Sequence, residues 1–261
     1  MRGREGLANG FCKSAVEEDA MSYPQNPELS LIVPTYNERE NIEAILNRLV
    51  NALEGRRYEI IVVDDDSMDR TWELVGRLSS RTPSIRLERR VGKKRDLAQS
   101  IMDGFGLARG NILGCMDADG SHRPEAISEL LDRCEDGFEM VVGSRYIVGG
   151  SISGWPLGRR ALSRAATVVS RSLLGLPISD PLSGFFLLRR AVYQRAFGVA
   201  NPRGFKILLE LYMRGRPSSV TEVPIHFQNR RVDKSKLSTK VLYQGVVGML
   251  SLMTVRSPYR T

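Results

Sequence analysis

The chain has 261 residues, enough for one large α/β domain or two small ones. Apolar residues make up 42% and charged residues 26%, which excludes global disorder, and three distant cysteines with no Cys-x-x-Cys exclude a disulfide framework or a zinc site. A net charge of +8 points to anionic partners, phosphates or a membrane surface; with no aromatic-glycine RNA-binding signature and no helix-turn-helix spacing, nucleic acid is set aside.

In chain order, Met1 to Glu28 mixes charged residues with Gly, Ser and Pro and has no apolar run of signal-peptide length, so residues 1–28 read as a flexible extension. Leu29 to Val33 is a buried strand ended by Pro34. Asn37 is placed to cap a helix whose apolar residues Ile42, Ile45, Leu46, Leu49 and Leu53 have helical spacing, and Gly55 stops it. Tyr58 to Val63 is the second strand, with Asp64-Asp65-Asp66-Ser67 at its end. Ser67 or Asp69 caps the helix through Trp72, Leu74, Val75 and Leu78. Ile85 to Leu87 is a short strand, Arg89 to Arg95 a basic loop, and Leu97 to Ala108 a helix.

Ile112 to Met116 is short, Gly-flanked and without alternation, as in a strand buried on both faces. Asp117-Ala118-Asp119 follows, and then Pro124 and Glu125, which suit the start of a helix to Glu135. Val141 to Gly143 is a further strand. The alternation from Leu29 to Arg145 means a mostly parallel sheet with helices on both faces and right-handed crossovers.

The remainder is less regular. Arg159 to Leu174 is helical, with Arg160, Arg164 and Arg171 on one side, either a solvated face or one lying on anionic headgroups. Gly184 to Leu188 is a strand and Gly204 to Met213 a helix. Val220 to Phe227 is a strand that Pro224 confines to an edge. Arg230 to Lys240 is a basic loop, and residues 241–261 form an amphipathic helix and tail. From His226 onward seven Lys/Arg face one Asp. No stretch reaches the roughly 18 apolar residues that span a bilayer, so a membrane role is expected to be peripheral.

Three strand ends carry polar clusters: Pro34-Thr35-Tyr36-Asn37-Glu38, Asp64-Asp65-Asp66-Ser67 and Asp117-Ala118-Asp119. In a parallel sheet these ends share one rim, where ligands bind. About six carboxylates there repel one another if unpaired, and a divalent cation with sugar and base donors relieves that. There is no P-loop, and no Gly-x-Gly-x-x-Gly follows the first strand.

These motifs resemble the inverting family-two glycosyltransferases of the A-type nucleotide-sugar fold. Downstream, Gly143-Ser144-Arg145-Tyr146, Trp155-Pro156, Asp180-Pro181-Leu182-Ser183-Gly184-Phe185-Phe186, Glu222-Val223-Pro224-Ile225 and Ser235-Lys236-Leu237 are similar to the dolichyl-phosphate (polyprenyl-phosphate) mannose synthases, in register from about Leu29 to Leu242. The resemblance implies a single glycosyltransferase domain over 29–240, with a nucleotide-sugar half (29–145) and an acceptor half with a closing loop (146–240). It implies that Pro34, Tyr36 and Glu38 flank guanosine and that Val63 and Asp65 hold the base or ribose. Asp117, Ala118 and Asp119 line the diphosphate, and Mg²⁺ or Mn²⁺ is held by Asp117, Asp119 and Ser121. Arg145 contacts the nucleotide sugar, Arg159 and Ser163 receive the lipid phosphate, and Arg230 and Lys236 close over the diphosphate. The implied reaction transfers mannose from GDP-mannose to dolichyl or another polyprenyl phosphate. It runs at the cytoplasmic face of a membrane (endoplasmic reticulum in a eukaryote, plasma membrane in a prokaryote), with small membrane subunits as further partners.

The chemistry agrees. A phosphate monoester acceptor is already anionic and needs no strong base, and the chain offers only His122 and His226. The departing diphosphate needs a metal and Arg/Lys. Gly120, Asp96 and Val232-Asp233-Lys234 depart from the family pattern. A UDP-glucose-dependent glucosyltransferase and a non-catalytic nucleotide-sugar-binding subunit stay open as alternatives. For Arg145, a plain ion pair with Glu139 is the alternative to a substrate contact.

Overall fold

A computed structural model of the chain describes residues 26–200 and 207–229. The expected N-terminal extension, basic loop and C-terminal helix therefore lie outside the described residues, apart from the extension's last three and the start of the chain after Phe227.

Nine strands and seven α-helices are described: β1 (Leu29–Thr35), α1 (Ile42–Ala52), β2 (Tyr58–Asp64), α2 (Thr71–Ser79), β3 (Ile85–Arg89), α3 (Leu97–Leu107), β4 (Ile112–Cys115), α4 (Ile127–Glu135), β5 (Met140–Ser144), β6 (Ser151–Ile152), α5 (Leu157–Leu174), β7 (Phe186–Arg189), α6 (Arg190–Ala196), α7 (Ile207–Gly215), β8 (Val220–Pro224) and β9 (His226–Phe227). A 3₁₀ turn at Pro124–Ala126 leads into α4, with Pro at its first position where the missing N–H costs nothing.

Seven strands form one sheet in the order β3-β2-β1-β4-β7-β5-β8. β3, β2, β1 and β4 are mutually parallel, and β7 runs antiparallel between β4 and β5. β6 and β9 make a separate parallel pair. The strands are apolar on both faces because both faces are covered. Leu29, Leu31 and Val33 of β1 pack with Ile42, Leu46 and Leu49 of α1 and Leu130 of α4. Ile32 of the same strand packs with Ile101 and Phe105 of α3 on the other face. Burying each such side chain contributes about 1.5–3 kcal/mol.

Pro224 ends β8, the sheet's edge, and the chain then crosses to β9, as the sequence required. Asn37 does not cap α1. It sits at φ 57°, and its side-chain oxygen accepts from the Met68 amide at 2.9 Å in the loop after β2. The first turn of α2 is served by Asp69, which accepts from the Thr71 amide at 2.9 Å.

Candidate active site

β2, β1 and β4 are neighbours, and their carboxyl ends lie together. Thr35 pairs with Asp64, Ile32 with Cys115, and the Met116 amide donates to Ile32 at 3.1 Å. The three polar clusters thus share a rim, as the parallel order requires.

Asp64 is fully buried and locks the turn: it accepts from the Ser67 amide at 2.8 Å, the Ser67 hydroxyl at 2.6 Å and the Thr35 hydroxyl at 2.9 Å. Asp65 accepts from Arg90, from the Ser100 hydroxyl at 2.9 Å and from the Asp96 amide at 3.1 Å. Asp66 pairs with Arg89 at 2.6 Å. Within this cluster the chain's own groups relieve the repulsion: arginines pair with Asp65 and Asp66, and hydroxyls and an amide hydrogen-bond Asp64. Arg90 is buried and also binds Asp103 at 2.9 Å. Burial alone would lower its pKa, but its bonds to Asp103 and Asp65 raise it.

Tyr36 lies half-buried after β1, with the Arg95 guanidinium 4.1 Å above its ring. Pro34 and Val63 are buried in β1 and β2. The Glu38 amide donates to the Thr71 hydroxyl at 3.1 Å, and its carboxylate accepts from Asn41 at 3.0 Å. Arg39 donates its amide to Asp69 at 3.0 Å. Burial works to raise the Asp69 pKa, but hydrogen bonds from Thr71 and Arg39 outweigh it and hold the carboxyl below its ordinary value. The loops after β1 and β2 are stitched into one ledge.

The loop after β4 carries the remaining candidates. Asp117 is partly exposed, whereas Ala118, Asp119 and Ser121 are buried. Asp119 accepts from the Ser121 amide at 3.0 Å and from the Ser121 hydroxyl, so Asp119 and Ser121 already form one cluster. Gly120 between them has φ 72°, a conformation that L side chains rarely adopt, and so this departure from the family pattern suits the turn. Gly184 backs Asp117 so tightly that a Cβ there would collide with its carboxylate. The Ser121 carbonyl accepts from the Gln228 amide at 2.9 Å. The described residues contain no group of three His, Cys, Asp or Glu placed to hold a metal ion by themselves. Asp117, Asp119 and Ser121 supply hard oxygen donors, the type that Mg²⁺ and Mn²⁺ take, but too few to fill six positions. The set fits such an ion only if a ligand's oxygens and water complete it.

Arg145, at the end of β5, is almost fully buried and grips Asp180 through Nε and Nη2, both at 2.7 Å. The expected alternative partner, Glu139, is wrong: it pairs with Arg195 at 2.9 Å. Glu139 opens the other end of β5, since it precedes Met140, whereas Asp180 comes from the chain before β7. Glu222 holds Asp180 in place by accepting the Ser179 and Asp180 amides at 2.8 and 3.1 Å. The Arg145 guanidinium lies 5.2–5.9 Å from the rings of Tyr146, Trp155 and Phe227. Burial would lower its pKa, but Asp180 raises it, so it stays charged.

Tyr146 joins this group to α5 through a 2.8 Å bond between its hydroxyl and Ser163. Arg159 stacks over Trp155 at 4.1 Å and reaches Asn229 at 3.5 Å. Arg230 and Lys236 lie outside the described residues.

The sequence reading named Arg90, Asp180 and His122 but assigned none of them its partner. Arg90 follows directly on β3, and only the β2–β3 register shows that it meets Asp65. Asp180 lies 35 residues from Arg145 with no local signal. His122 is buried edge-on between Phe185 and Phe227, with centroids at 5.4 and 5.0 Å, and its Nε2 is 3.8 Å from Asp117.

The sequence matches the family model of Glycosyl transferase family 2 over residues 30–197. It is 44% identical over 231 residues to a dolichol-phosphate mannosyltransferase of Pyrococcus furiosus, covering 87% of this chain and 64% of that protein. This chain therefore spans less than two thirds of that relative. It is 38% identical over 233 residues to the polyprenol monophosphomannose synthase of Mycolicibacterium smegmatis, covering 87% and 86%. It is 36% identical over 231 residues to the Saccharomyces cerevisiae dolichol-phosphate mannosyltransferase, covering 83% and 84%. Among solved structures, glucosyl-3-phosphoglycerate synthase of Mycobacterium tuberculosis, in complex with Mn²⁺, UDP-glucose and phosphoglyceric acid, superposes with a TM-score of 0.64 at 19% identity, covering 88% of this chain and 80% of that one. That likeness shows the fold. The chain belongs to glycosyl transferase family 2, in the group of the dolichyl-phosphate and polyprenyl-phosphate mannose synthases.

Proposed function

We propose that the chain transfers mannose from GDP-mannose to the phosphate of dolichol or another polyprenol, with inversion at the anomeric carbon. The observation that carries this reading is the hydrogen-bonded Asp119–Ser121 pair, two residues past Asp117 on the rim shared by β1, β2 and β4, in a chain 36–44% identical to mannose synthases. Asp119, with Asp117 and Ser121, would hold Mg²⁺ or Mn²⁺, which when bound would supply positive charge beside the departing diphosphate.

The chain's own groups do the rest. Tyr36, Pro34 and Glu38 on one strand end, and Val63 and Asp65 on the next, border the nucleoside. Asp180 takes Nε and Nη2 of Arg145, and Nη1 makes no hydrogen bond among the described residues. That leaves a fixed donor for the nucleotide sugar. Arg159 and Ser163 on α5 take the lipid phosphate, and Arg230 and Lys236 cover the diphosphate. A phosphate oxygen forms the bond to the anomeric carbon as the bond to GDP breaks and GDP leaves with the electron pair. No proton needs to be removed from the nucleophile. In this reading residues 29–145 form the nucleotide-sugar half, and 146–240 the acceptor half with the basic loop that closes over the diphosphate.

No helix among the described residues is long and apolar enough to cross a membrane. We place the protein as a peripheral enzyme on a cytoplasmic membrane face.

The test offers labelled GDP-mannose, GDP-glucose, UDP-glucose and UDP-mannose with polyprenyl phosphate. Lipid-extractable label is expected from GDP-mannose alone and is abolished by EDTA. Label from UDP-glucose instead overturns the donor assignment, and EDTA-resistant transfer overturns the metal.

A further inference from the structure

His122 places a polar ring in the interior with nothing to bond. Its side chain is 1% exposed, and neither Nδ1 nor Nε2 has a hydrogen-bond partner among the described residues. Buried polar groups are almost always paired, and each exception asks for a reason. The backbone before the ring is fixed. The Ser121 amide donates to Asp119 at 3.0 Å, and the Ser121 carbonyl accepts from the Gln228 amide at 2.9 Å. The ring stands edge-on to Phe185 and Phe227, which limit the turns it can make.

A carboxylate in the matching condition lies beside it. Asp117 Oδ2 is 3.8 Å from His122 Nε2, and the Asp117 carboxylate accepts no hydrogen bond among the described residues. That gap is about 0.9 Å longer than an ordinary N–H···O bond and too short for a bridging water. Gly184 closes one way out for the carboxylate, since even a Cβ there would meet it. The other acids nearby are engaged. Asp119 takes the Ser121 amide, and Glu125, which lines a cleft with His122, holds Arg48 through both oxygens at 2.7 Å.

We propose that His122 is a positioning residue for the metal site: its Nε2–H hydrogen-bonds one oxygen of Asp117 and leaves the other for the ion. A neutral imidazole has one N–H, and the acceptor it faces decides which nitrogen carries it. Closing the gap takes a shift of about 1 Å in a partly exposed side chain that nothing else binds. Groups that hold a metal ligand in this way raise affinity about 10- to 100-fold. This deepens the reading above and rests on its metal at Asp117 and Asp119.

The test follows Mn²⁺ binding to the full chain by electron paramagnetic resonance in the presence of GDP, for wild type, His122→Phe and His122→Gln. Phe fills the space without an N–H, whereas the Gln amide nitrogen can take the place of Nε2. His122→Phe should bind Mn²⁺ at least about tenfold more weakly with no loss of melting temperature, and His122→Gln should recover most of that binding. Wild-type binding by the Phe variant overturns the proposal, and so does an equal loss in both variants. A second measurement leaves position 122 untouched. The chain has two histidines, so the nitrogen-15 imidazole spectrum with Mg²⁺ and GDP is assigned by comparison with His226→Gln. A proton on Nε2 of His122 is expected, and a bare Nε2 overturns the proposal. Asp119→Ala separates this inference from the reading beneath it. If that variant binds Mn²⁺ as wild type does, the metal reading fails. If it does not, and His122→Phe binds normally, the inference alone fails.

Discussion

Asp64, Asp65 and Asp66 are consecutive, yet each meets a different fate. Asp64 is spent on hydroxyls and an amide of its own turn, Asp65 on buried Arg90, and Asp66 on a partly exposed arginine. Their place in the strand explains this: β2 ends on Asp64, and the parallel register sets Arg89 beside it, with Arg90 next in line. Removing Arg90 leaves Asp65 buried and unpaired. Arg90→Met should therefore cost about 3–5 kcal/mol, read as a lower urea midpoint; an unchanged midpoint contradicts the buried pairing. Arg145 differs because Asp180 leaves one of its nitrogens without a hydrogen-bond partner among the described residues. Arg145→Lys cannot keep both Asp180 contacts and that remaining donor. It should lower transfer by about 10²-fold with little change in melting temperature. An equal loss of stability and activity would make Arg145 structural.

At the scale of elements, loops at both ends of the sheet are pinned by buried or half-buried carboxylates with displaced titrations, Glu59 at the amino ends of the strands and Asp69 beside the site rim. Glu59 of β2 is fully buried, with Arg86 and Arg109 both within 2.8 Å. Burial acts to raise its pKa, but Arg109, Ser30 and Arg86 prevail and hold it below the ordinary glutamate value. Asp69 is held low in the same way. A carboxyl with a depressed folded-state pKa adds stability that is fully present above its unfolded value, about 4, and is lost as pH falls through the folded one. The melting temperature should be flat from neutral pH to about 5 and fall below about 4. Glu59→Gln should lower the plateau and shrink the acid limb; an unaltered limb would show that Glu59 titrates normally. Gly184→Ala should disturb the rim more than the fold, because its Cβ meets the Asp117 carboxylate. A variant with wild-type metal response contradicts that contact.

The first four strands, their helices and the shared rim were legible in the sequence, because short connections fix neighbours and direction. Pro224 was enough to place β8 at the edge. The antiparallel β7, the Arg145–Asp180 pair and the burial of His122 were not legible. Each depends on contacts between segments far apart in the chain, with no spacing to announce them. Asp96 is a local case: its side chain accepts from the Ala98 and Gln99 amides and caps α3, as an Asp just before a helix does.

For the whole molecule, the carboxyl ends of β1, β2 and β4 gather acidic side chains, and α5 gathers arginines. In the function proposed above, the two would be linked by a cation that Asp119 holds once a nucleoside diphosphate completes its shell. The most direct measurement is the electron paramagnetic resonance of Mn²⁺ titrated with the protein, with and without GDP. Mn²⁺ should become protein-bound in the presence of GDP, and Asp119→Ala should abolish that binding with the fold intact and cut transfer by at least about 10²-fold. Mn²⁺ bound equally well without GDP, or by the Asp119→Ala variant, would contradict the account.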